Sequence, residues 1–220
     1  MSTIANFRMV NYAEQGAIAH LMNNPNSDQF EKQVLARIGH FCGFSLTLII
    51  GITETAFGLI CSVGVILTLT LYKPISGFTT DRLLSGASQL ILFPYIHLLK
   101  TVNPAASHKN PFPEGIVSYF LCKQLSSIYW NNINSTNVIQ KQLCTRIISL
   151  LVVSANIIGG GVDLSIGLIA AAISILTVGY FENMNTLAME GLGGASHILG
   201  GAFCSTVCIF NPWAFENLWF

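Results

Sequence analysis

Residues 32–72 read again at 141–181, without a gap and at one offset of 109. Lys32-Gln33 returns as Lys141-Gln142, Arg37-Ile38 as Arg146-Ile147, and Ser45 and Ile49 as Ser154 and Ile158. Gly51-x-x-Glu54-x-x-x-Gly58-Leu59-Ile60 returns as Gly160-x-x-Asp163-x-x-x-Gly167-Leu168-Ile169, and Ile66-Leu67-Thr68 as Ile175-Leu176-Thr177. Thirteen of the 41 positions are identical. With one residue dropped the match resumes, pairing Gly86-Ala87-Ser88 with Gly194-Ala195-Ser196 and Asn103-Pro104 with Asn211-Pro212. A shared apolar alphabet explains some Ile and Leu matches. It does not explain Lys-Gln, Arg, two glycines around an acid and Asn-Pro, all in register. The chain reads as a unit of about 110 residues used twice, and its fold has to be one that can be built twice.

The alphabet of the repeat says where such a unit can live. The chain is 52% hydrophobic and 9% charged, against about 25% charged in soluble domains. That deficit places it with membrane proteins. The net charge is zero and nothing suggests nucleic acid, although all ten Lys and Arg lie within residues 8–146. The N-terminal MSTIANFRMVNYAEQG has no apolar core after a basic start, so a cleavable signal peptide is not expected. Of the six cysteines, four sit in strongly apolar stretches and read as reduced, small hydrophobes. Cys204 and Cys208 are one helical turn apart, but no His or acid stands at ligand spacing beside them, so no metal site is expected.

Each unit opens with an amphipathic helix, over 5–22 and 115–131, followed by an Asn/Ser-rich break (Asn23-Asn24-Pro25-Asn26-Ser27 and Asn131-Asn132-Ile133-Asn134-Ser135). A charged helix start (Asp28, Glu31, Lys32, Arg37) then runs into an apolar stretch ending near Tyr72, with a copy from Ile147 to Phe181. Apolar residues cover every helical face, so the stretch faces lipid or a fully buried core. Roughly 35 residues exceed the ~20 needed for one crossing. The middle of the second copy carries Gly159-Gly160-Gly161, and three glycines cost a helix about 3 kcal/mol against alanines. The sequence thus predicts helical hairpins over 38–72 and 147–181, with lobes 38–51 and 55–72, then 147–158 and 164–181. In a hairpin Lys32, Arg37, Lys73 and Arg82 share the cytoplasmic face, as the positive-inside tendency expects. A polar loop follows each hairpin, then an interfacial helix over 83–100 and a terminal helix over 192–210. Thr101–Pro113 links the units, and the aromatic tail around Trp213, Phe215 and Trp219 suits a lipid headgroup boundary.

Glu54 and Asp163 are the only acids within the apolar stretches, and the repeat makes them equivalent. An ionisable group in a membrane segment points to function, here an ion or proton path lined by one acid from each repeat. The competing reading is preferred: at a hairpin tip each acid caps the returning helix, accepting backbone N–H bonds at its positive end. No HExxH, Walker loop, nucleophile elbow or CxxC pair is present. Gly191-Leu192-Gly193-Gly194 follows no strand, so it is not a phosphate loop. The five histidines do not cluster in sequence, and no catalytic residue, cofactor or metal is expected.

The stretch Val162–Gly179 (VDLSIGLIAAAISILTVG), followed by Phe181–Ala188 (FENMNTLA) and by Phe210-Asn211-Pro212-Trp213, resembles uncharacterised membrane proteins of chlamydiae and their environmental relatives. Such proteins commonly carry a bilobed hydrophobic hairpin. Chlamydial inclusion membrane proteins share that trait, with both termini facing the host cytosol. The resemblance covers 141–213 directly and the first unit through the repeat. This chain departs from the inclusion-protein pattern in having two hairpins and almost no soluble domain.

The reading that emerges is an all-α integral membrane protein of two tandem, parallel helical-hairpin units, 1–109 and 110–220. Its expected partners are the lipid bilayer and either a protein partner or a second copy, in a bacterial inner membrane or a host-derived inclusion membrane. The expected role is non-enzymatic, structural or interaction-mediating. A small transporter or channel built from the two repeats is the alternative, and a soluble bundle with two very apolar helices is a third, weaker one.

Overall fold

A computed structural model describes residues 30–68, 73–106 and 114–213, and all regular structure among them is helical. The helices are α1 (Phe30–Leu67), α2 (Lys73–Ala87), α3 (Phe93–Val102), α4 (Val117–Ile133), α5 (Thr145–Leu176), α6 (Glu182–Leu192), a single turn α7 (Gly194–Ser196) and α8 (Ala202–Phe210). Five-residue π-helical segments, Ser88–Leu92, Gln140–Cys144 and His197–Gly201, join α2 to α3, lead into α5 and join α7 to α8. The predicted amphipathic helix 5–22 lies outside the described residues.

Neither apolar stretch turns back at its middle. α1 passes unbroken through Gly51 and Glu54, and α5 through Gly159-Gly160-Gly161 and Asp163. This corrects the predicted hairpins over 38–72 and 147–181. Propensity reads a glycine run as a break, but packing uses these glycines for close approach. A methyl built on Gly159 would lie 2.8 Å from the Ser118 Cα, and one on Gly160 would lie 2.6 Å from the Gly194 carbonyl oxygen, whereas Gly161 faces open space. Gly161→Ala is therefore expected to raise stability by about 1 kcal/mol, its helix-propensity gain. Gly159→Ala and Gly160→Ala are expected to lower it, as thermal unfolding in detergent micelles will show.

A hairpin does form, but over a longer span. Gly43 packs on His97, Gly51 on Leu90 and Gly58 on Leu83, a descending register that makes the run 73–102 antiparallel to α1. In the second half Gly167 packs on Leu192, and Gly160 on Ile198. The segments expected as polar loops after each hairpin are helices α2 and α6. They are more polar than the long helices, yet one face of each is buried against the long helix. Arg82, expected to share one face with Lys32, Arg37 and Lys73, lies beside Glu54, midway along α1.

The second-half turn follows Leu176. Val178 (φ 56°) and Gly179 (φ 71°) are left-handed, and Gly179 N–H donates to the Ser174 carbonyl at 2.7 Å, closing the helix end. Left-handed backbone is strained for a β-branched residue. The other half holds it in place: Asn103 Nδ2 donates to the Val178 carbonyl at 2.9 Å.

Several local features recur between halves. α3 ends at Asn103 (φ −130°, ψ 97°) and α8 at Asn211 (φ −133°, ψ 96°). Each precedes a proline, which drives the residue before it to extended backbone. Each Asn side-chain oxygen accepts the backbone N–H two residues on, from Ala105 and from Trp213, both at 3.1 Å. The first π-helical junction adjoins Pro94, whose missing N–H breaks the regular ladder. The corresponding segment of the second half, His197–Gly201, contains Gly200-Gly201.

The halves meet through a core cluster that combines Leu92, Tyr95 and Leu99 with Ala170, Ala171, Ala188, Met189 and Leu192, and through a second that combines Val65 with Val207 and Cys208. Inside the first the Tyr95 hydroxyl donates to Ser174 Oγ at 3.0 Å. Among the described residues three helical runs, Gln33–Leu67, Gln140–Leu176 and Glu182–Phe210, are long and apolar enough to cross a membrane.

Candidate functional site

Asp163 lies in the interior of α5 and is fully buried. It does not stand at the start of its own helix. It accepts from the start of another: Oδ1 from Val117 N–H at 2.8 Å, and Oδ2 from Ser118 N–H at 2.8 Å and Ser118 Oγ–H at 2.5 Å. Those two amides belong to the first residues of α4, whose first turn has no intrahelical acceptors. A carboxylate there satisfies orphan donors and faces the positive end of the helix dipole. The geometry needs a close approach, and three glycines supply it. Gly159 lets the α4 backbone sit against α5. Gly115 takes φ +78°, and a side chain on it would run into Asp163 Oδ2. Gly194 packs against Asp163 from the other side.

The same junction is braced by His197. Its Nε2 lies against the Glu114 carbonyl oxygen, and its Nδ1 is 2.8 Å from Asn156 Oδ1. Asn156 donates from Nδ2 to the Val152 carbonyl at 2.9 Å. Asp163, His197 and Asn156 thus fix the segment entering α4 to α5 and to the π-helical segment before α8. Ser118 donates to Asp163 rather than to a histidine, so the trio does not activate a serine nucleophile.

Glu54, the sequence counterpart of Asp163, meets different neighbours. It is buried within α1, and its Oε1 is 3.5 Å from Arg82 on α2. The Arg82 guanidinium also lies over the Phe78 ring, 4.7 Å from its centroid, and Phe57 meets Phe78 edge-on. The second carboxylate oxygen, Oε2, has no hydrogen-bond partner among the described residues.

Two buried polar contacts were not visible in the sequence. His40 and His97 are 57 positions apart, yet their Nδ1 atoms are 3.1 Å apart, because Gly43 lets α3 close on α1. The histidines therefore do come together in one pair. Thr80 Oγ1 and Cys204 Sγ, 3.3 Å apart, tie α2 to α8. The spacing of these residues carries no signal, since each pair is set by helix register across the bundle. Among the described residues no three His, Cys, Asp or Glu side chains gather as a metal site. The described cysteines are all free thiols.

No protein-family profile, curated protein or solved structure matches the chain.

Proposed function

We propose that this chain is an integral membrane protein with a structural or interaction-mediating role, and that its buried polar groups join helices rather than perform chemistry. The observation that carries this reading is the polarity of its two surfaces. Most outward-facing positions along both long helices are apolar, among them Phe41, Ile49 and Ile60 on α1 and Ile158 and Ile169 on α5, each more than 60% exposed. Buried polar side chains pair with one another, Asp163 with Ser118, Asn156 with His197 and Tyr95 with Ser174. A soluble bundle has the opposite arrangement, and a hydrophobic face this long needs lipid or protein around it.

α1 has 38 residues and is about 57 Å long, against a hydrocarbon core of about 30 Å. It therefore tilts strongly or extends beyond the bilayer. The duplicated sequence and the matching helix ends support a two-unit architecture of long helical hairpins. Asp163 argues against the transporter alternative, since a carboxylate whose oxygens are committed to helix amides offers little to a passing ion.

Two measurements test this reading. The protein should stay in the membrane pellet through carbonate extraction at high pH. Release into the supernatant without detergent would overturn the membrane assignment. Purified protein in liposomes should show no ion flux above empty liposomes. A flux abolished by both Glu54→Gln and Asp163→Asn would instead favour the transporter.

A further inference from the structure

The two hairpins meet along their second arms, the runs 73–102 and 182–210. Thr80 Oγ1 lies 3.3 Å from Cys204 Sγ, and Gly200 packs on Leu84. Farther along the first run, Leu92, Tyr95 and Leu99 share a core with Ala188, Met189 and Leu192, and the Tyr95 hydroxyl is 3.5 Å from Asn185 Oδ1. At its other end, Ile75 packs against the cluster of Val65, Val207 and Cys208. As one run ascends the other descends, so the two arms are antiparallel. Each arm is also antiparallel to its own long helix, so α1 and α5 run in opposite directions. The helix ends agree. Asn103, level with the start of α1, donates to the Val178 carbonyl just past the end of α5. Val65, near the end of α1, packs on Cys208, and Pro212 a turn farther on accepts from Tyr129, beside the start of α5.

We propose that the two units are inverted in the bilayer, related by a pseudo-two-fold axis that lies across the helices and passes near Ser88 and Ser196. The inference rests on the membrane reading above. The pairing of Thr80 with Cys204 and of Leu84 with Gly200, carried on by one turn, sets Ser88 opposite Ser196. These serines end the repeated Gly86-Ala87-Ser88 and Gly194-Ala195-Ser196, so at the axis the motif lies level with its own copy. Away from the axis the partners differ. In the parallel arrangement expected from the sequence, Thr80 would lie level with its repeat counterpart near Ala188 and not with Cys204.

An odd number of passages before the second copy inverts it. α1 crosses and 73–102 returns. The chain then crosses again before α5 begins. Ala106 packs on Gly179 at the first face. Glu114 meets His197, and Gly115 meets Asp163, halfway along α5. Tyr129 reaches Pro212 beside the second face. α4 therefore starts in the middle of the bilayer, where backbone amides find no water to bond. Inversion thus gives the Asp163 carboxylate its task, to cap a helix that spans half the membrane.

The test counts labels per chain. The full-length protein is prepared with Cys42, Cys61 and Cys144 replaced by alanine and with the thiols packed in the core, Cys122, Cys204 and Cys208, retained. Two cysteines are then added at a time, Ala105→Cys with Thr136→Cys, or Ala105→Cys with Asn183→Cys. All three positions are exposed beside helix ends. A membrane-impermeant maleimide is added outside sealed vesicles, and intact mass gives the number of labels, with the parent protein as background. Permeabilised vesicles should give two labels in both variants. Inversion puts 105 and 183 on one face and 136 on the other. Every chain of the first variant should then take one label, whichever way it inserts, and each chain of the second should take two or none. Two or none in the first variant, with one in the second, would show parallel units and overturn the proposal while the membrane reading stands. The same count in both variants would overturn it as well, and two labels in every chain of both would also remove the membrane reading.

Discussion

Asp163→Ala is expected to destabilise the protein by on the order of 3–5 kcal/mol and to loosen the start of α4. Three donors lose their acceptor at once, the half-buried amide of Val117 and the buried amide and hydroxyl of Ser118, and each unsatisfied buried group costs about 1–3 kcal/mol before relaxation. Asp163→Asn should fall between wild type and alanine. An amide has a single acceptor oxygen, and both carboxylate oxygens are in use. If the amide oxygen takes the two Ser118 donors, its NH2 faces the Val117 N–H, donor against donor. Ser118→Ala removes only the hydroxyl bond and should cost about 1 kcal/mol. Thermal unfolding in detergent gives the order of stabilities, and amide hydrogen exchange at Val117 and Ser118 locates the effect. Equal stability of wild type, Asn and Ala would show that the carboxylate does not hold α4 in place.

That series separates what the sequence reveals about Asp163 from what it conceals. The residue type and its equivalence to Glu54 were legible, and so was the idea that a buried acid accepts backbone N–H bonds. The helix being capped was not. Local reasoning assigns a cap to the helix that carries it, whereas Asp163 caps α4, whose start lies 46 residues earlier in the chain. The glycine run misled for the same reason. Gly159-Gly160-Gly161 has low helix propensity, but two of its members are places where other backbones press against α5, and that packing is invisible without the partner. The apolar stretches and their helical state followed from the length of the runs and from apolar residues on every helical face. The turns, the helical state of 73–82 and 182–191, and the His40–His97 contact followed from register between helices. In the sequence, register appears only as the match of Gly51 and Gly58 to Gly160 and Gly167.

Gly167→Ala is expected to destabilise the second hairpin by about 1–3 kcal/mol, although alanine is the better helix former by about 1 kcal/mol. A methyl on Gly167 would stand 2.5 Å from the Gly191 carbonyl carbon. Both groups belong to backbone, so no side chain can rotate away and α6 must move as a body. The equivalent change in the first hairpin, Gly58→Ala, meets the Leu83 side chain first, with Cδ2 at 2.9 Å, and the Leu83 amide nitrogen only at 3.2 Å. A leucine terminus can shift to another rotamer, so that variant should lose less than 1 kcal/mol after its propensity gain. Gly191→Ala should cost about as much as Gly167→Ala, because the two glycines press on each other. Once one methyl has forced α5 and α6 apart, a second meets an interface already opened. The double variant should then cost clearly less than the sum of the singles, a coupling of about 1 kcal/mol or more in a double-mutant cycle. Additive costs, or a Gly58→Ala loss equal to that of Gly167→Ala, would show that the α5–α6 crossing is not set by backbone contact at these glycines.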